Sequence, residues 1–293
     1  MNIRKIWEAN APHFALLLGA MICSSAAFAA EECSDAQLSA RRMQPFLMFD
    51  GTLFQKKPDV SKYGIKPLTI IDRGIWPAGA SNTSAPDPAL VKGLMQKIPK
   101  DGTPVVLDFE SYPVTGSDEV VKDSIAKMSA IMAAFKAAAP DRKFGFYATL
   151  PIRDYWRAAA GPGTPKYQQW QAENDKLRAL EQKTDALFPS IYTFYDDRPG
   201  WVKYAKAQIC EARRLSKKPV YVFLWTEYHN SNKKLGGMPI EADYWKIQLE
   251  TVQKYADGVV IWGGFDFAKK HPADWDENVG WWKQTKEFAK NLK

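Results

Sequence analysis

Thr103-Pro104-Val105-Val106-Leu107-Asp108-Phe109-Glu110-Ser111-Tyr112-Pro113 opens as an apolar run and closes on two acids. A short apolar run of this kind, rich in valine, reads as a buried strand. Successive strand side chains point to opposite faces, so Val106, Asp108 and Glu110 share one face, with the two acids about 6 to 7 Å apart at their Cα atoms. Carboxylates are depleted in strands and costly to bury without partners. Two of them on one wall either face water at a strand end, cap a helix, or serve chemistry. Paired acids in a cleft are what general acid and base work on a glycosidic bond requires.

Working outward, apolar strands alternate with helical segments. Before the opening stretch lie two strands, Pro45 to Gly51 and Pro67 to Gly74, then a Gly, Ser, Asn and Pro-rich loop from Trp76, then helical spacing from Pro88 to Ile98. After it, the pattern predicts a helix over Ser117 to Ala139, with Ser117 and Asp118 at its start and Pro140 beyond its end. A strand over Lys143 to Leu150 follows, then a long polar helix from about Lys166 to Thr184, and a fifth strand from Leu187 to Tyr195. Asp196-Asp197 reads as a helix start, with a helix from about Gly200 to Leu215. The sixth strand spans Pro219 to Tyr228 and the seventh Gly258 to Phe265, separated by a helix over Glu241 to Tyr255, and Asn278 to Leu292 closes the chain as a helix.

This alternation argues for a parallel sheet. Seven such strands without a Gly-rich phosphate loop argue for an α/β fold, a single TIM-like (β/α) barrel over residues 30–293. Chemistry in such barrels sits at the carboxyl ends of the strands. Asp50, Asp72, Asp108, Glu110, Tyr112, Tyr192, Tyr195, Glu227, Tyr228, Trp262 and Asp266 gather there. Asp50 and Asp72 read as turn or loop-anchoring acids, and His229 as a polar loop neighbour.

The first residues carry Arg4 and Lys5, an apolar run from about Phe14 to Cys23, and the small-residue series Ser24 to Ala30. Together they read as a signal peptide over residues 1–29, which predicts a mature chain in the periplasm or the medium. No stretch reaches the roughly twenty apolar residues of a membrane span. Beyond the leader the cysteines are Cys33 and Cys210. In an oxidising compartment they are candidates for a disulfide, with two unrelated thiols as the alternative. The formal charge of +7 favours polyanions, but the basic residues are scattered and no nucleic-acid module is present. An acidic polysaccharide or oligosaccharide is the partner this charge suggests.

Only His229 and His271 follow the leader, neither in a metal-binding spacing, so no metal or other cofactor is expected. No Gly-x-Ser-x-Gly elbow occurs. Carboxylate chemistry framed by aromatics is left, and it suits sugars, whose flat apolar faces stack on Trp and Tyr. Tyr112, Tyr147, Tyr155, Glu227 and Trp262 are accordingly candidate substrate-binding residues. One scheme pairs Glu110 with Glu227 as the two carboxylates of a retaining glycosidase. Another is a barrel that binds glycans without turnover.

Five segments taken in order resemble the barrel strands of the hyaluronidase family of glycoside hydrolases. They are Val105-Val106-Leu107-Asp108-Phe109-Glu110, Phe144-Gly145-Phe146-Tyr147, Phe188-Pro189-Ser190-Ile191-Tyr192, Pro219 through Tyr228, and Gly258-Val259-Val260-Ile261-Trp262. The resemblance implies a distorted barrel and retaining hydrolysis of a β-linked N-acetylhexosamine, with the substrate's acetamido oxygen as nucleophile. It assigns Glu110 as acid and then base, and Asp108 as the group that orients the acetamide. Tyr192 and Tyr228 would hold the reacting sugar, and Trp262 would form an apolar wall. A neighbouring carboxylate and partial burial should raise the Glu110 pKa. Where the family continues its acidic motif with an aromatic and Arg-Pro, this chain has Ser111-Tyr112-Pro113, so the basic contact expected there is missing.

Overall fold

Short parallel strands line one ring: β1 (Leu47–Asp50), β2 (Ile65–Pro67), β3 (Thr69–Ile71), β4 (Val105–Leu107), β5 (Phe144–Phe146), β6 (Tyr221–Trp225) and β7 (Gly258–Trp262). The computed structural model describes residues 34–40, 45–80 and 85–292, so the leader and Cys33 lie outside the described residues. β2 and β3 are halves of one stave divided at Leu68. The first half pairs with β1 and the second with β4. β4 pairs on with β5, and β7 joins β6 to β1.

Between β5 and β6 the expected fifth strand is not regular. Single bridges join Tyr147 to Phe188, Leu187 to Val220 and Ser190 to Phe223. Pro189 sits in the middle of this segment and has no N–H to give to a ladder. The ring therefore passes through seven staves, while its hydrogen-bonded ladder is divided into a four-stranded sheet (β2-β1-β7-β6) and a three-stranded one (β3-β4-β5). It is a distorted (β/α) barrel.

Helices cover its outside: α1 (Asp35–Ala40), α2 (Pro88–Lys97), α3 (Asp118–Ala138), α4 (Tyr155–Ala160), α5 (Pro165–Asp175), α6 (Arg178–Glu181), α7 (Arg198–Leu215), α8 (Ala242–Tyr255) and α9 (Gly280–Lys290). Their starts are capped as the sequence suggests. Ser117 accepts from Val120 N, and Asp197 accepts from Gly200 N. The single polar helix expected over 166–184 is two helices, α5 and α6. Asn174 turns its buried amide inward to take Ile152 N and return a bond to Trp170 O, competing with the helical ladder where α5 ends. None of the described helices is long and apolar enough to cross a membrane.

Alternation along the staves sorts the core into layers. Phe49, Val106, Phe188, Phe223 and Val260 fill the barrel, whereas Val105, Leu107, Val222, Leu224 and Ile261 point out to the helices. Each fully buried side chain of this size contributes about 1.5–3 kcal/mol. Gly145 lets the 186–190 segment approach β5, because a Cβ there would run into the Ala186 carbonyl oxygen and the Phe188 ring. At the amino-terminal ends of the strands, Asp257 holds several elements. Its carbonyl accepts from Leu47 N, its carboxylate accepts from Val220 N at 2.7 Å, and Arg213 of α7 pairs with it at 2.8 Å in near-complete burial. At the opposite end, β8 (Phe265–Asp266) and β9 (His271–Pro272) form a small antiparallel hairpin.

Candidate active site

β4 stops at Leu107, and its ladder ends with Asp108 N donating to Ile71 O at 2.8 Å. Both acids therefore project beyond the strand, but on the face Val106 presents to the interior. Asp108 and Glu110 line one cleft of about 300 Å³ together with Tyr147, Arg153, Tyr192 and Trp262. Asp108 is largely buried and its Oδ1 has no hydrogen-bond partner. Burial, with the charges of Glu110 and Asp72 adding to it and Arg153 opposing, pushes its pKa from 3.8 up to about 7. Glu110 has a side chain 54% exposed and reaches into the opening, where Arg153 approaches its Oε2 at 3.5 Å.

Arg153 follows β5 and places a basic group beside Glu110. It donates to the Tyr147 hydroxyl at 3.3 Å, and that hydroxyl donates to Ser190 Oγ at 3.2 Å. Burial pushes the Tyr147 hydroxyl up to about 12. Glu110, Tyr147 and Arg153 also border a second lobe of about 300 Å³, whose walls include Tyr112, Thr149 and Arg157. These three residues stand between the lobes. Tyr192 floors the first lobe, stacked on Trp262 at 5.9 Å and edge-on to Trp225 at 5.3 Å. Its hydroxyl is fully buried, which holds its pKa well above the usual tyrosine value.

The structure thus brings together Asp108, Glu110, Tyr112, Tyr147, Tyr192 and Trp262. Tyr155 does not line either lobe, being half-buried among Trp156, Phe194, Tyr195 and Tyr204. Tyr228 is not among the lining residues either. Phe223 and Trp225 face the barrel interior, so the even-numbered residues of this stave face the helices. Tyr228 accordingly lies buried outside the ring, donating to Glu241 Oε2 at 2.8 Å. Glu227 has the inward parity but leaves the stave to bridge Pro239, and it does not border the cleft. Burial, then the Asp266 charge, pushes it from 4.5 up to about 7, against a lowering contact from the Trp225 indole.

Arg153, Trp225, His229 and Phe267 line the first lobe and were not among the residues the sequence singled out for the site. Alternation along β6 could have found Trp225. Nothing in the spacing marks Arg153, because its place depends on how the chain turns after Pro151. His229 packs on Phe194 and Trp225, and burial followed by the Arg153 charge lowers its pKa below 6.5. Asp50 anchors a loop as expected, accepting from Thr52 and from Lys57 Nζ at 2.6 Å. Cys210 is buried and disulfide-bonded, and its proposed partner Cys33 lies outside the described residues. Among the described residues no group of three or more His, Cys, Asp or Glu could hold a metal ion. A separate hollow of about 350 Å³ lies between α4 and α7, lined by Pro162, Val202 and Lys203, and contains no carboxylate.

A parallel barrel with paired acids beyond one strand, in an aromatic-walled cleft, has the form of a barrel glycoside hydrolase. Bee venom hyaluronidase shares the fold, with a TM-score of 0.58 over 85% of this chain and 97% of that one at 18% identity. A crystal structure of that enzyme with a hyaluronic acid tetramer aligns equally well, with a TM-score of 0.58. The family model for hyaluronidase, glycoside hydrolase family 56, matches residues 118–275, more than half of the chain. The chain belongs to the hyaluronidase family. A hyaluronidase of Polistes annularis is 31% identical over 97 residues, which are 31% of this chain and 26% of that one. A hyaluronidase of Polybia paulista is 28% identical over 127 residues, 41% of this chain and 42% of that one. These matches span less than half the length of either relative, and Asp108 and Glu110 precede the stretch matched by the family model.

Proposed function

We propose that this protein hydrolyses a β-linked, N-acetylhexosamine-containing polysaccharide of the hyaluronan kind, by substrate-assisted retaining chemistry. The observation that carries the reading is the shared cleft of Asp108 and Glu110, one acid buried and unsatisfied, the other exposed beside Arg153. Glu110 donates its proton to the glycosidic oxygen as the bond to the sugar's anomeric carbon breaks. The substrate's acetamido oxygen forms a new bond to that carbon, giving a cyclic oxazolinium ion. Asp108 Oδ1, free of any partner, accepts the acetamide N–H and steadies the positive charge. Water then attacks the same carbon as its bond to the acetamido oxygen breaks and the acetamide is restored, and the water passes its proton to Glu110, which restores the acid. Arg153 stabilises the Glu110 carboxylate between the two steps.

Tyr192 and Trp262 supply the apolar floor on which the reacting sugar rests. The Glu110–Glu227 scheme finds no support in the geometry, because Glu227 does not border the cleft. The same reading has the leader over residues 1–29 export the chain, which amino-terminal sequencing of the mature protein tests.

Incubating the purified protein with hyaluronan, chondroitin and peptidoglycan fragments and assaying new reducing ends tests the reaction. Glu110→Gln is expected to cut turnover by about 10²–10⁴-fold while leaving glycan binding in place. Undiminished activity in that variant removes Glu110 from the role. Binding without turnover in the unmutated protein identifies a non-catalytic barrel.

A further inference from the structure

Three aromatic side chains stand exposed among the described residues: Trp156 at 65%, Phe267 at 49% and Tyr195 at 40%. Phe267 lines the first lobe, and Trp156 lies in the chain between Asp154 and Arg157, which line the second. Ring contacts run without a gap from the cleft floor to the surface. Tyr192 meets His229 at 6.4 Å, His229 meets Phe194 at 4.7 Å, Phe194 meets Tyr195 at 6.4 Å, and Tyr195 meets Trp156 at 5.4 Å.

Trp156 is held in place from beneath. Tyr155 packs against Trp156 at 5.2 Å and Tyr195 at 5.1 Å, and itself rests on the buried Tyr204 at 4.9 Å. A large indole left in water on such a support forgoes the free energy of burial, about 25 cal/mol per Å² of apolar surface. Pyranose rings offer a flat C–H face to an indole and hydroxyls to water at their edge, which suits a half-wet aromatic surface.

We propose that Trp156 and Tyr195 form an outlying sugar-stacking subsite, which holds the glycan where it leaves the second lobe past Arg157. The proposal rests on the hydrolase reading and adds to it a site for sugars remote from the bond that is cut.

Calorimetry in a Glu110→Gln background, so that the ligand stays intact, tests it with hyaluronan oligosaccharides of four and ten sugars. The ten-sugar ligand is expected to bind more tightly. Trp156→Ala should weaken it by about tenfold and close most of that gap, the scale of one aromatic stacking contact, while Trp156→Phe keeps most of it. Equal affinity for both lengths, or a gap that survives Trp156→Ala, overturns the subsite and leaves the hydrolase reading standing. Failure to bind either length overturns both. Self-association that vanishes in Trp156→Ala without any effect on glycan binding assigns the surface to a second copy of the chain and overturns the subsite.

Discussion

Asp108 and Glu227 are carboxyls that the fold makes reluctant to ionise, and only one of them faces the cleft. The consequence can be measured at Glu227, which is clear of the proposed chemistry. Its folded pKa of about 7 lies above the value of about 4.3 in an unfolded chain, so the folded state holds the proton more tightly. The stability this contributes is fully present below about pH 4 and is lost as pH rises through about 7. Glu227→Gln cannot ionise. Its melting temperature relative to the unmutated protein should therefore climb between pH 4.5 and pH 8, and a difference that stays constant across that range refutes the shift. The inward facing of Asp108 and Glu110 was readable because alternation is strict from Val106 onward. The same rule would have turned Tyr228 outward and Trp225 inward, had the parity of Phe223 been carried along the stave. Arg153 had no such marker, since only the folded loop brings it to Glu110.

The stave from Leu187 to Ser190 and its neighbour β5 show what an element can hide. Apolar content suggested a regular strand there, whereas Pro189 reduces it to isolated bridges. The fit to β5 then depends on one residue without a side chain. Gly145→Ala should cost about 1–3 kcal/mol, read as a lower urea midpoint at unchanged slope, because the added methyl meets the Ala186 carbonyl and the Phe188 ring. A midpoint equal to that of the unmutated protein would show that the segment can withdraw from β5. Helix starts were easier to read, as Ser117 and Asp197 show, since a cap is a local choice of side chain. The break between α5 and α6 was not, because Asn174 bonds to Ile152, more than twenty residues away.

At the scale of the whole molecule, the order of seven staves was visible in the alternation of apolar runs and helices. The division of the ladder into two sheets was not, since it takes two breaks, one where β2 and β3 serve different neighbours on either side of Leu68 and one at the irregular stave between β5 and β6. Asp257 ties the amino-terminal ends of β1 and β6 to α7 through the buried Arg213 pair. Asp257→Ala leaves that guanidinium buried and unpaired, and should cost about 3–5 kcal/mol in chemical denaturation. A loss below about 1 kcal/mol would show that the pair is dispensable to the barrel.

Glu110, Tyr147 and Arg153 stand between two lobes instead of at the end of a blind hole. On the proposed function, a polymer can lie across that divide with chain continuing on both sides, so cuts should fall at random along its length. A hyaluronan solution should then thin long before its reducing ends accumulate, and the first products should be large fragments. Disaccharides released from the outset at steady viscosity would mean that one lobe is closed to the polymer.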